Sequence, residues 1–200
     1  VQVGEPGDTV IGFVGGLRPW HGIERLVDIF QVLAAEPGYH LLVVGDGPER
    51  KRLNKLAKEY PGMVTLTGNV AHDEVPSLVR AIDIAIAPYP AMESFYFSPL
   101  KILEYMACGC AVVATGIGQV EELVEHGETG LLVGADDNPA FVDAIRTLRA
   151  DDELRTRLSA AAASRAGAEH DWEERARGIL AHLARLGKVE ARSREEVGHG

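Results

Sequence analysis

Ser98, Pro99, Leu100, Lys101 and Glu104 stand in the run S-P-L-K-I-L-E-Y-M-A, and their order suits one kind of chemistry. Ser98 can cap a helix, and Pro99 fits a first turn, where a missing N–H leaves nothing unpaired. The free N–H groups and positive dipole end of a helix start attract an anion. Glu104 follows roughly 7 Å further along the axis, at about 1.5 Å of rise per residue. A carboxylate there can accept two hydrogen bonds from a vicinal diol. Phosphate and ribose are both provided for, and the run reads as a nucleoside-diphosphate site.

A second set of donors lies far upstream. The loop L-R-P-W-H-G places Arg18 and His21 just before a predicted helix. As phosphate ligands they would add charge to the same anion; as surface side chains they would be unremarkable. Glu93, in the loop ahead of Ser98, is open to a solvated role as well. Other chemistries find no support. The stretch Gly12 to Gly16 lacks the glycine spacing of a dinucleotide loop, and neither a Walker loop nor a Gly-x-Ser-x-Gly elbow occurs. His40, His72, His126, His170, His182 and His199 share no metal spacing with a cysteine or carboxylate, and no metal site is expected. Cys108 and Cys110, one residue apart, read as small packing residues in a reduced protein.

The elements that must position these groups are written in short β-branched runs, each ending in a turn residue. They are Val10–Gly15, Leu41–Gly45, Val64–Gly68, Ile82–Pro88, Ala111–Thr115 and Leu131–Gly134. Between most of them lies a helical pattern. Ile23, Leu26, Val27, Phe30 and Leu33 form one stripe; a charged helix runs from Pro48 to about Tyr60, capped by Asp46 or Gly47; a third starts at Asp73. Strands that are apolar throughout and alternate with helices predict a doubly wound α/β domain, a parallel six-stranded sheet covered on both faces. Ligands in such folds sit at the carboxyl ends of the strands, near the switch in winding direction. After Gly134 only helices are expected, Asn138–Ala150, Asp151–Arg165 and Asp171–Leu186, the last carrying Trp172. Residues 1–187 read as one domain and 188–200 as a disordered tail.

The net charge of −10 speaks against a broad nucleic-acid surface, which would be basic. No apolar run approaches the ~20 residues of a membrane span. A cytoplasmic location fits this profile, peripheral to the inner membrane at most in a longer protein.

Taken together, V-G-G-L-R-P-W-H-G, L-V-V-G-D-G-P-E, V-T-L-T-G-N-V, D-I-A-I-A-P-Y, S-P-L-K-I-L-E-Y-M-A-C-G-C-A-V-V-A, E-H-G-E-T-G-L-L-V and the Trp172 helix resemble, in order, the C-terminal nucleotide-sugar domain of family-4 retaining glycosyltransferases of the GT-B type. The resemblance implies a Rossmann-like half of a two-domain enzyme. Glu104 matches the second Glu of the family's E-x7-E element, which holds the ribose. Leu100 and Lys101 fall where backbone amides meet the diphosphate, with Ser98 just ahead. Gly16 stands beside the phosphate-covering loop, and Val70 corresponds to the backbone that pairs with the base. The family loop G-R-L-x-x-x-K-G is altered here: Gly16 replaces its Arg and His21 its Lys, leaving Arg18 to supply a cation. Tyr96 occupies the position of the first Glu, which in the family lies against the donor sugar; Glu93 is three residues too early.

The chemistry this implies is transfer of a sugar from a UDP- or GDP-sugar, with retention and with no tightly bound cofactor or metal. Arg18, His21 and Lys101 would stabilise the leaving diphosphate. The acceptor, a saccharide or lipid-linked saccharide, would sit against an N-terminal half that this chain lacks. A nucleotide-sugar epimerase of the same architecture and a non-catalytic nucleotide-binding module remain as alternatives.

Overall fold

A computed structural model describes residues 3–95, 98–169, 180–182 and 185. Tyr96 and the segment 188–200 lie outside this set, as does most of the expected last helix with Trp172. The six expected strands form: β1 (Thr9–Val14), β2 (Tyr39–Val44), β3 (Val64–Gly68), β4 (Ile84–Ala87), β5 (Ala111–Thr115) and β6 (Leu131–Val133). All pair in parallel, in the order β3-β2-β1-β4-β5-β6. Sequence order runs outward to one edge from β1 and to the other from β4. That reversal opens a crevice between the carboxyl ends of β1 and β4.

Alternation along the strands feeds two separate cores. Ile11, Phe13, Leu41, Val43, Ile84 and Ile86 point to the side covered by α1 (Ile23–Leu33), α2 (Arg50–Glu59) and α6 (Asn138–Ala150). Val10, Val14, Leu42, Val44, Ala85 and Ala87 point to the side of α3 (Val75–Val79), α4 (Leu100–Ala107), α5 (Gln119–Leu123) and α7 (Asp152–Glu169). Small residues on β4 and β5 let α4 and α7 lie close. Each fully buried large side chain contributes on the order of 1.5–3 kcal/mol.

Several local expectations change. Asp46 does not cap α2; its carboxylate turns back to the Gly47 N–H at 2.7 Å, and Glu49 holds the cap position with its carboxylate accepting from Arg52 Nε at 2.6 Å rather than from a helix N–H. Helix α5 escaped the sequence reading because five residues between two glycine turns are too few to show a period. Asp137 and Asp151 cap α6 and α7 through the Ala140 and Leu154 N–H groups, both at 2.8 Å. On α1 the apolar stripe is interrupted by a buried charge, Arg25, and Ile29 rather than Val27 completes the core face.

Gly22 joins a short 3-10 turn, Pro19–His21, to α1 with φ at +76°. A Cβ at this position would collide with the Pro88 carbonyl, so the loop after β1 and the loop after β4 meet backbone to backbone. Gly22→Ala should therefore destabilise the domain by about 1–3 kcal/mol, read as a lower urea midpoint at unchanged slope.

Candidate active site

The crevice at the switch point gathers most of the residues expected there. Gly15 and Gly16 leave β1, Pro88 and Tyr89 leave β4, and α4 delivers Lys101. Lys101 starts on the α4 side of the sheet and reaches across its end, so that Nζ lies 4.1 Å from the ring centre of Phe13, a residue of the opposite core. Tyr89 stands at 5.6 Å on another side. The ammonium is buried and has no hydrogen-bond partner among the described residues. A Cβ on Gly15 would stand 3.3 Å from it, so this glycine leaves the space beside the charge open. Burial pushes the Lys101 amine down to about 7, partly offset by Glu104. Cation–π contact stabilises the charged form by roughly 0.5–2 kcal/mol, less than full hydration would.

Arg18 and His21 approach from the other side of the glycines. A Cβ on Gly16 would lie 3.8 Å from Arg18 Cγ and 4.0 Å from His21 Cε1. Arg18 is exposed, its guanidinium 5.7 Å from the ring centre of exposed Trp20. His21 Nδ1 bonds the Gly16 carbonyl at 2.6 Å. A carbonyl only accepts, so Nδ1 carries the proton and the neutral ring keeps its lone pair on Nε2. Burial lowers the His21 pKa, then Lys101 and Arg18, against the Gly16 bond. Three basic side chains thus converge on Gly15-Gly16.

The entry to α4 departs from expectation. Ser98 is exposed and makes no cap; Pro99 occupies the cap position, which leaves the hydroxyl one residue too early to reach the first turn. The Ser98 carbonyl instead accepts from the Leu100 N–H at 2.9 Å. That amide would have to exchange partners to meet a phosphate. Leu100 itself is 55% exposed.

Glu104 is one turn beyond Lys101 and open to solvent. Partial burial raises its carboxyl above the ordinary range, while His72 and Lys101 pull it down. His72 belongs to the loop after β3 that also carries Val70, so Glu104 faces the base end of the expected site. Val70 is half-buried against the second core. Glu93 is exposed.

Two positioning groups were missed. Tyr105, four residues after Lys101 on the same face of α4, accepts the Val14 N–H on its hydroxyl at 2.7 Å and so ties α4 to the end of β1. The spacing from Lys101 was legible; the bond was not. Tyr89 enters the sequence reading only as the last residue of D-I-A-I-A-P-Y, yet its ring contacts His21, Phe95 and Lys101. Among the described residues, no group of three metal-binding side chains occurs and no helix is long and apolar enough to cross a membrane.

Residues 8–151 match the family described as glycosyl transferases group 1. The chain belongs to that family. It is 34% identical over 189 residues to the lipopolysaccharide core biosynthesis mannosyltransferase LpsB of Rhizobium meliloti, covering 88% of this chain and 52% of that protein. It is also 34% identical to D-inositol 3-phosphate glycosyltransferase of Corynebacterium jeikeium, covering 89% and 44%. The chain therefore spans about half the length of the curated relatives it matches. Anabaena Alr3699/HepE, solved in complex with UDP, superposes with a TM-score of 0.78 at 28% identity over 89% of this chain and 49% of that one. The C-terminal domain of the group 1 family protein LpcC from Francisella tularensis gives 0.71 at 27% identity, over 84% and 88%. This glycosyltransferase domain is thus the Rossmann-like half of a GT-B fold.

The Lys101 position has a thermodynamic signature. Its folded value, about 7, lies below the ordinary 10.5. Between those values the unfolded chain binds a proton that the folded one does not, so stability rises with pH. The slope is at most about 1.4 kcal/mol per pH unit. Measured between pH 7 and about 7.5, below the ordinary cysteine value of about 8.5, Lys101→Met should abolish most of the rise in urea-unfolding free energy.

Proposed function

We propose that this domain binds the donor of a retaining glycosyltransferase, a UDP- or GDP-sugar, and that the acceptor half lies on an N-terminal domain. The observation that carries this reading is the buried Lys101 ammonium, without a hydrogen-bond partner beside Gly15 at the switch point. An unpaired buried cation is costly unless an anion completes it. HepE, 28% identical to this chain, was solved with UDP and UDP-glucose, which supports a nucleotide sugar as that anion.

Lys101 and Arg18 would hold the diphosphate, and His21 would take up a proton on Nε2 to donate to it. As the sugar–oxygen bond breaks, negative charge grows on the leaving phosphate and the sugar becomes oxocarbenium-like. Fixed cations at that point stabilise the transition state more than the ground state. Gly16 would leave room for the phosphates and the amides of Leu100 and Lys101 would border them, with Ser98 just ahead; Tyr96 stands in the sequence where the family has its sugar-facing Glu. Glu104 would accept the ribose hydroxyls and the Val70 backbone would face the base. Two free cysteines suit a reducing cytoplasm. A saccharide or lipid-linked saccharide would be the acceptor.

Calorimetry on the purified domain tests the donor site. UDP or GDP should bind, and Glu104→Ala should weaken the nucleotide far more than inorganic pyrophosphate; equal weakening would reject the ribose role. Arg18→Ala should weaken the diphosphate about ten-fold, as expected for a charge-assisted contact of ~1.5 kcal/mol. Catalysis by positioning needs acceptor oxygen and anomeric carbon held about 3–3.5 Å apart. Sustained sugar transfer by this chain alone would overturn the half-enzyme reading.

A further inference from the structure

Arg25 is a charge where the core face of α1 calls for an apolar side chain. It is only 9% exposed. Nε donates to Asn138 Oδ1 at 2.8 Å, and Nη1 donates to the Tyr89 carbonyl at 2.6 Å and to Thr115 Oγ1 at 3.1 Å. The guanidinium faces the Phe141 ring at 5.6 Å, and Nη2 has no hydrogen-bond partner. No carboxylate bonds to it; burial lowers its pKa, while Asp136 and Asp137 support the charge from a distance. A leucine or methionine could join Ile23, Leu26, Ile29 and Phe30 without this desolvation, and replacing buried charges by packed apolar groups is often neutral or stabilising. Packing alone does not account for an arginine here.

Its partners account for it. The Tyr89 carbonyl accepts from Arg25 and also from Thr115 Oγ1, the latter at 2.8 Å. On the preceding peptide, the Pro88 carbonyl is backed by the Cβ-less Gly22. Both peptide groups around the Tyr89 Cα are therefore held, which fixes the direction of its ring. That ring meets His21 edge-on at 6.3 Å and lies 5.6 Å from Lys101 Nζ.

We propose that Arg25 is a positioning residue for the donor site: by gripping the Tyr89 carbonyl it fixes the ring that screens Lys101 and His21 from water. Its effect on nucleotide rests on the donor-site reading above; its effect on Lys101 does not. The charged group that bears on Lys101 from its own helix is Glu104, and His21 from the loop after β1 is coupled to it, Arg18 acting in turn on His21. None of these contacts Arg25 directly, so a change at Arg25 reaches Lys101 through Tyr89.

The test is an NMR titration of the Lys101 side chain in protein without added nucleotide. It would compare the parent with Arg25→Met, Arg25→Lys and Thr115→Val. The parent midpoint should fall near 7. Arg25→Met should move it upward by one pH unit or more as the ring loosens and water reaches Nζ. Thr115→Val, which removes the other donor to the same carbonyl, should move it in the same direction, and Arg25→Lys by less. A role in packing alone would lower the melting temperature of each variant and leave the Lys101 midpoint in place. An unchanged midpoint in the folded variants overturns the proposal; if Arg25→Met fails to fold, Arg25→Lys and Thr115→Val decide it. UDP titrations add the second arm. Parent affinity should fall up to ten-fold per pH unit above the Lys101 midpoint, and that fall should start at higher pH in Arg25→Met. Failure of UDP to bind the parent at any pH would reject the donor-site reading, while the Lys101 midpoints would still decide the role of Arg25.

Discussion

One ammonium organises the business end of this domain. Lys101 rises from a helix on one side of the sheet and rests on Phe13 from the other, which is possible only where the two winding directions part. Between any other pair of strands here, the crossover helices pack on one side and close the gap. The crevice, the reach of the lysine and its lack of a hydrogen-bond partner follow from the strand order.

The electrostatics are local rather than global. An acidic chain of net charge −10 collects Arg18, His21 and Lys101 around two glycines. Lys101 and Arg18 make His21 harder to charge, and an anion bound there would favour the charged forms. Burial is the main cause of the depressed values at both His21 and Lys101, with repulsion from Lys101 and Arg18 added at His21. Binding an anion and binding protons are then one linked equilibrium. Arg18 and His21 stand on the loop after β1, and Lys101 stands on α4. A helix fixed at Tyr105 to β1 carries it more rigidly than a loop could.

Rigidity recurs at the opposite wall. Arg25, Thr115 and Gly22 come from three separate elements and converge on the peptides around Tyr89. Loops at the rim of an α/β sheet carry the chemistry because the strands beneath them are immobile. Here two of those loops are braced against each other as well.

Most of the architecture was legible in the chain. All six strands were, because β-branched runs buried on both faces have no competing reading, and the α6 boundaries were as well because Asp137, Pro139 and the apolar period agree. Lys101, His21, Arg18 and Gly16 were legible as a set through their order along the chain, which resembles a family. What the sequence could not give were relations between residues distant in it. Ser98 looked like a cap until Pro99 took the cap position. Arg25 lies outside the apolar stripe that marks α1 in the sequence, because periodicity counts apolar positions and says nothing of a carbonyl 64 residues away. The sequence carries no sign that Phe13 and Tyr89 meet Lys101, since a ring that packs and a ring that holds a cation have the same local signature. Local physics sets elements and their order; which side chains meet at the end of the sheet is decided only when the chain reverses its winding, because that is where groups from both cores come within contact distance.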